Sequence, residues 1–172
     1  MKKKTEIILI GGATGTGKSS TSFKIMKKNN IIHKIGTGFI REMSKCFLNK
    51  KKYLEVYKHS FETNNKNKFD NLYLQSKYIK NMIRKSVNRA YKEGTSIIIE
   101  GVNIIPGLME FNCVTQKIIM VVNNEKKHFK RIFQNTTHTK RKIAKSDFKK
   151  IRSIQKILVE KAKKYNWDIN EI

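Results

Sequence analysis

Residues 7–20 read IILIGGATGTGKSS. The apolar run 7–10 is rich in β-branched residues, too short for a buried helix, and closed by glycine. That predicts a strand buried on both faces of a sheet. Gly12 to Ser19 then fit the pattern G-x-x-x-x-G-K-[S/T], with a strand before and a helical segment after. Glycines let successive backbone amides turn inward around an anion, where a side chain would block the approach or forbid a positive φ. The helix that follows adds its own N-terminal amides and dipole. In this pattern Lys18 reaches the outer phosphates of a polyphosphate and the Ser19 hydroxyl ligates Mg²⁺. The candidate donor-site residues are therefore Gly12, Thr14, Gly15, Thr16, Gly17, Lys18, Ser19 and Ser20.

The loop resembles that of P-loop NTPases, and the short chain, 172 residues, resembles a kinase more than a motor or a GTPase. ATP with Mg²⁺ is the expected donor for such a loop.

Further apolar clusters at 31–35, 97–99 and 118–122 are also short, β-branched and bounded by Gly, Asn or charge, and read as strands buried on both faces. Between them lie helical periodicities. Leu72, Ile79, Ile83, Val87 and Ala90 recur at steps of three and four, with Asp70 as candidate N-cap and Gly94 as the stop. Phe148, Ile151, Ile154, Leu158 and Ala162 repeat the pattern after Ser146 or Asp147. The ending NWDINEI predicts a last, edge strand, and the irregular stretch 49–69 a short helix over one end of the sheet. Strands alternating with helices predict an α/β fold: a P-loop NTPase three-layer sandwich around a mostly parallel sheet of about five strands. The expectation is a single domain over 1–172, with a lid at about 135–145, the polar insert NTTHTKRKIAK.

Lys and Arg number 38 against 13 Asp and Glu, a formal net charge of +25. Such a chain attracts polyanions. Arginine is rare, however, and lysine is spread along the chain, a pattern of general composition more than of one basic groove. Nucleic acid is thus an alternative partner and not the favoured one. The expected partners are ATP and a small anionic phosphorylated substrate. Cys46 and Cys113 stand in no CxxC or His-rich pattern and read as idle or buried thiols. With neither a signal peptide nor a run of membrane-spanning length, the expectation is a cytoplasmic protein without a membrane partner.

Two further segments carry chemistry. In SIIIEGVNIIPG, Glu100 follows a wholly apolar strand, at the edge where open α/β sheets bind ligands. A carboxylate there can hold the Mg²⁺ shell or accept a substrate proton. Pro106, between Gly101 and Gly107, is expected to stiffen the loop beyond it. In IGTGFIREMSK, small-molecule P-loop kinases, by resemblance, carry an Asp at the end of the second strand and an Arg three residues on. Here Arg41 is present and the Asp position is Gly38.

Together GGATGTGKSS, TGFIRE (37–42), EGVNIIPG (100–107) and IRSIQ (151–155) resemble the archaeal 2-phosphoglycerate kinase family, whose pattern is a P-loop, TDxxRE, EGVHxxPG and an IRxIQ helix. The resemblance extends from Ile7 to about Ala162. It implies ATP-dependent phosphorylation of 2-phosphoglycerate to 2,3-bisphosphoglycerate. It implies Lys18, Glu100 and Arg131 as catalytic residues and Ser19 with Glu100 as metal ligands. It further implies Arg41, His59, Asn103 and Arg141 as substrate-binding residues. The chain departs from the family in having Gly38 for the aspartate and Asn103 for the histidine, and in lacking a second lid arginine near IFQN. Two alternatives stay open: a kinase of a nucleotide or of a nucleic-acid 5′-hydroxyl, and a kinase-derived nucleotide-binding protein with little or no activity.

Overall fold

The computed structural model describes residues 4–62, 69–134 and 143–172. Among them, one sheet holds β1 (Ile7–Gly11), β2 (His33–Gly36), β3 (Ile97–Glu100), β4 (Gln116–Val121) and β5 (Asp168–Glu171). The strand order is β2-β3-β1-β4-β5, and every adjacent pair is parallel. The helices are α1 (Lys18–Asn29), α2 (Thr37–Ser44), α3 (Asp70–Glu93), α4 (Glu125–Phe133) and α5 (Phe148–Lys164). The short helix expected in the irregular stretch is a 3-10 turn, Leu54–Tyr57.

Period-two alternation along β1 builds the layers. Ile7 and Leu9 enter the larger core with the predicted apolar faces of α3 and α5, while Ile8 and Ile10 enter a smaller one against Ile25 and Met26 of α1. All five residues of β1 are buried, as a central strand covered on both faces requires. This is the expected three-layer α/β sandwich, and its sheet is entirely parallel.

β2 departs from the expectation of burial on both faces. His33 is exposed and Lys34 to Gly36 are only half-buried, because β2 is an edge strand paired on one side. Part of its apolar cluster falls outside the strand: Ile31 is buried before it, and Ile32 is exposed. The helix ends also differ in detail. Asp70 is the first residue of α3 and not its cap, placing its carboxylate near the positive end of the helix dipole. Gly94 ends that helix as predicted, at φ 66°. Asp147 precedes α5 without capping it; its carboxylate accepts from Lys150 Nζ at 2.9 Å. Neither cysteine is buried: Cys46 is exposed and Cys113 half-buried, and both are free thiols.

The register decides where a site can form. Ile10 of β1 and Gly36 of β2 both lie opposite Glu100 of β3, so three strands end together at one sheet edge. β1 sits between β3 and β4, the point where connections run to opposite sides and a crevice opens beyond the strand ends.

Ile79 lies fully buried at the centre of the α3 face. Ile79→Ala is expected to destabilise the fold by about 2–5 kcal/mol, read as a lower urea midpoint with an unchanged m-value.

Candidate functional site

The loop after β1 turns through left-handed glycines at 15 and 17, with φ of 81° and 77°. Gly17 directly precedes α1, and no side chain caps that helix. Its first amides are therefore left for a ligand. Inside the loop, Thr16 Oγ1 donates to the Ala13 carbonyl at 2.9 Å, and Lys18 Nζ donates to the same oxygen at 2.7 Å. Lys18 thus lies folded back across the loop. Ser20 is exposed on α1.

One turn into the site, Ser19 Oγ donates to Glu100 Oε1 at 2.8 Å. Glu100 is 8% exposed and stands on the α1 face of the sheet, next to Ile98 and Ile10 of the smaller core. Lys34 Nζ lies 3.5 Å from the same oxygen, with the Phe23 ring 4.2 Å beneath it. The structure therefore adds Lys34, which the sequence reading missed. Its signal is parity: it stands two residues before Gly36, the β2 partner of Glu100, and so shares that face.

The acceptor-side residues are more scattered. An added Cβ on Gly38 would meet nothing within 4 Å, so the missing carboxylate leaves open space. Arg41 donates from Nη1 to the Lys58 carbonyl at 3.1 Å, while its buried Nε has no hydrogen-bond partner. His59 points outward, stacked on Phe61 at 5.3 Å and 3.9 Å from the Glu62 carboxylate. Asn103 is 1% exposed. Its amide nitrogen donates to Ser76 Oγ at 3.2 Å, and its oxygen accepts from Thr37 Oγ1 at 3.3 Å. It ties the post-β3 loop to α2 and α3 and does not line open space. Pro106 is buried in the same loop. Arg141, with residues 135–142 of the expected lid, lies outside the described residues.

On the opposite flank, α4 presents His128, Arg131 and Ile132 to the phosphate loop, the i, i+3, i+4 face of a helix. Arg131 Nε donates to the Gly15 carbonyl at 3.0 Å, and its Nη2 lies 2.7 Å from where a Cβ on Gly17 would stand. His128 Nε2 is 2.7 Å from the Thr14 carbonyl, and its Nδ1 is 3.3 Å from Arg152 Nη1. Gln155 bonds both the N–H and the carbonyl of Val122, each at 3.1 Å. His128 was not singled out by sequence, although it stands three residues before Arg131. Arg152 and Gln155 were visible only as part of IRSIQ. Burial pushes the His128 pKa below its ordinary value; the Thr14 bond opposes this, and the charges of Arg152, Lys18 and Arg131 add to it. Among the described residues, no cluster of three or more His, Cys, Asp or Glu could hold a metal alone, and no helix is long and apolar enough to cross a membrane.

No protein-family model matches the chain. The chain is similar along nearly its whole length to curated archaeal proteins named 2-phosphoglycerate kinase. It is 30% identical to that of Methanocaldococcus jannaschii over 92% of this chain and 55% of the relative. It is 27% identical to that of Methanococcus maripaludis strain C6 over 99% and 61%, and 28% to that of Pyrococcus furiosus over 96% and 58%. The chain spans about 60% of the length of these relatives. Among solved structures, shikimate kinase from Acinetobacter baumannii in complex with shikimate superposes with a TM-score of 0.56 at 10% identity, covering 99% of this chain and 84% of that one. A putative kinase from Chloroflexus aurantiacus gives 0.53 at 14%, covering 89% and 78%. These likenesses show the P-loop kinase fold.

A histidine with a lowered native pKa takes up its proton in the unfolded chain first. Its stabilising contribution is complete above the ordinary value of 6.5 and is lost as pH falls below it. Urea unfolding followed downward from about pH 7.5 is expected to show a loss of stability beginning near that value, with part of the loss absent in His128→Gln.

Proposed function

We propose that the chain is an ATP-dependent phosphotransferase whose acceptor is 2-phosphoglycerate, phosphorylated on its 3-hydroxyl to give 2,3-bisphosphoglycerate. The observation that carries the donor half is the meeting, at one sheet edge, of the glycine loop ending in Lys18 with the Ser19–Glu100 pair 2.8 Å apart. The similarity to archaeal 2-phosphoglycerate kinases supports the acceptor half.

In this reading the amides of the loop and of the α1 terminus bind the polyphosphate, and Lys18 exchanges the Ala13 carbonyl for phosphate oxygens. Ser19 Oγ and Glu100 supply the hard oxygen donors that Mg²⁺ takes, one or two per site beside phosphate oxygens and water. When bound, Mg²⁺ neutralises charge between the outer phosphates. Arg131, beside Gly15 and Gly17, stabilises charge on the transferred group from the other flank. Arg41, one helical turn beyond Gly38, holds an anionic group of the acceptor; its unpartnered buried Nε is a donor without an acceptor of its own. Lys34 pairs with Glu100, while Lys18 and Arg131 bond carbonyls of the glycine loop, an excess of cations suited to a substrate bearing both phosphate and carboxylate. Positioning and charge neutralisation supply most of phosphoryl-transfer catalysis, so a site without the Gly38 carboxylate remains competent.

One observation favours a second reading, a nucleotide or nucleic-acid 5′-hydroxyl acceptor. Phe23 lies under Lys34, and the Phe39 ring lies 3.4 Å from where a Cβ on Gly36 would stand; the two rings are 59% and 76% exposed. A base could stack there.

Incubation with ATP-Mg²⁺ and a panel of 2-phosphoglycerate, 3-phosphoglycerate, nucleosides and 5′-hydroxyl oligonucleotides separates the readings. Product formation from 2-phosphoglycerate, abolished in Lys18→Ala, is expected; ADP release above buffer only with another acceptor rejects it. Gly38→Asp, which the open space admits, is expected to raise kcat by up to about tenfold. No gain in a folded variant would mean that Glu100 or another group already accepts the proton.

A further inference from the structure

We propose that His128 and Arg152 are positioning residues for the donor site, fixing the Thr14–Gly15 peptide so that the Gly15 N–H faces the polyphosphate. The proposal rests on the donor half of the function proposed above and is independent of the acceptor.

The chemistry of the neighbours sets the tautomer of His128. Arg152 is always protonated and has no acceptor, so the His128 Nδ1 facing it at 3.3 Å must carry the lone pair. The ring proton is then on Nε2, where it is donated to the Thr14 carbonyl at 2.7 Å. Arg152 is itself held by the end of β4, through Nη1 to the Val122 carbonyl at 2.5 Å and Nη2 to the Asn123 carbonyl at 3.1 Å. A continuous path thus runs from the IRSIQ segment of α5, across the end of β4, through a fully buried imidazole, to the loop.

The loop needs such a brace. Gly15 sits at φ 81°, and a Cβ there would land 2.5 Å from Ile132 Cγ1 and 3.3 Å from His128 Cδ2. Only glycine fits, yet glycine leaves the preceding peptide free to rotate. In a trans planar peptide the carbonyl and the next N–H point opposite ways. Holding the Thr14 oxygen toward α4 therefore turns the Gly15 N–H away from α4, into the loop. A flipped peptide would present an oxygen to phosphate, and every unit of time spent flipped lowers apparent affinity in proportion.

Titration calorimetry of the full chain with ATP and Mg²⁺ tests the brace without any acceptor. Glutamine places an amide nitrogen near the position of Nε2, whereas the shorter asparagine does not reach Thr14. His128→Gln is expected to bind ATP within about threefold of wild type and His128→Asn about tenfold more weakly, with similar melting temperatures. Equal affinity of folded His128→Asn and wild type, or equal weakening in both variants, would overturn the proposal. A readout that does not depend on ATP guards against unfolding: the ¹⁵N shifts of the His128 ring. Wild type is expected to show the Nε2–H tautomer alone, and Arg152→Met a mixture of tautomers. An Nδ1–H tautomer in wild type would refute the proposal. Wild-type chain with this tautomer but no ATP binding would reject the donor-site reading, and the positioning role with it.

Discussion

A phosphate loop made largely of glycine has few side chains with which to hold its own shape, and the surrounding structure compensates for that lack. Thr16 and Lys18 close the loop from within by sharing the Ala13 carbonyl. From beneath, Met120 of β4 lies so near Gly12 that a Cβ would stand 2.7 Å from its carbonyl oxygen. From the side, the His128, Arg131 and Ile132 face of α4 takes two consecutive carbonyls, Thr14 and Gly15. The cost of glycine is conformational entropy, and packing from three directions is what offsets it.

The same edge is electrostatically lopsided. Glu100 receives a hydroxyl from Ser19 and an ammonium from Lys34, while positions 36 and 38 hold glycine. A carboxylate at either glycine would add negative charge beside Glu100, which faces Gly36 across the strand pair. The +25 charge of the chain is diffuse, yet at this edge it becomes specific, because parallel register brings Lys34 and Glu100 onto one face. The aromatic carbons of Phe23 support the lysine there without neutralising it.

Much of this was legible before folding is considered. The phosphate loop, the buried strands around it, the apolar faces of α3 and α5, and the placement of Glu100 at a strand end follow from local spacing and pattern. Other features depend on what local pattern cannot hold. The cluster 31–35 reads like a central strand, and only strand order makes β2 an edge. Asn103, expected at a substrate contact, is buried and links Thr37 to Ser76. His128, which no local motif marks, is a fully buried contact of the glycine loop.

The amino-acid sequence alone determined the kind of fold and the place of its glycine loop. A short apolar run, a glycine turn and a lysine at a helix start constrain one another within fourteen neighbouring residues, 7–20. Tertiary structure decided which distant groups meet at that loop: Glu100 with Ser19, Lys34 with Glu100, and His128 and Arg152 behind Thr14. The physical reason is one of distance along the chain. Periodicity and turn chemistry act between near neighbours, whereas these contacts join residues 24 to 114 positions apart and exist only once five strands have taken their order.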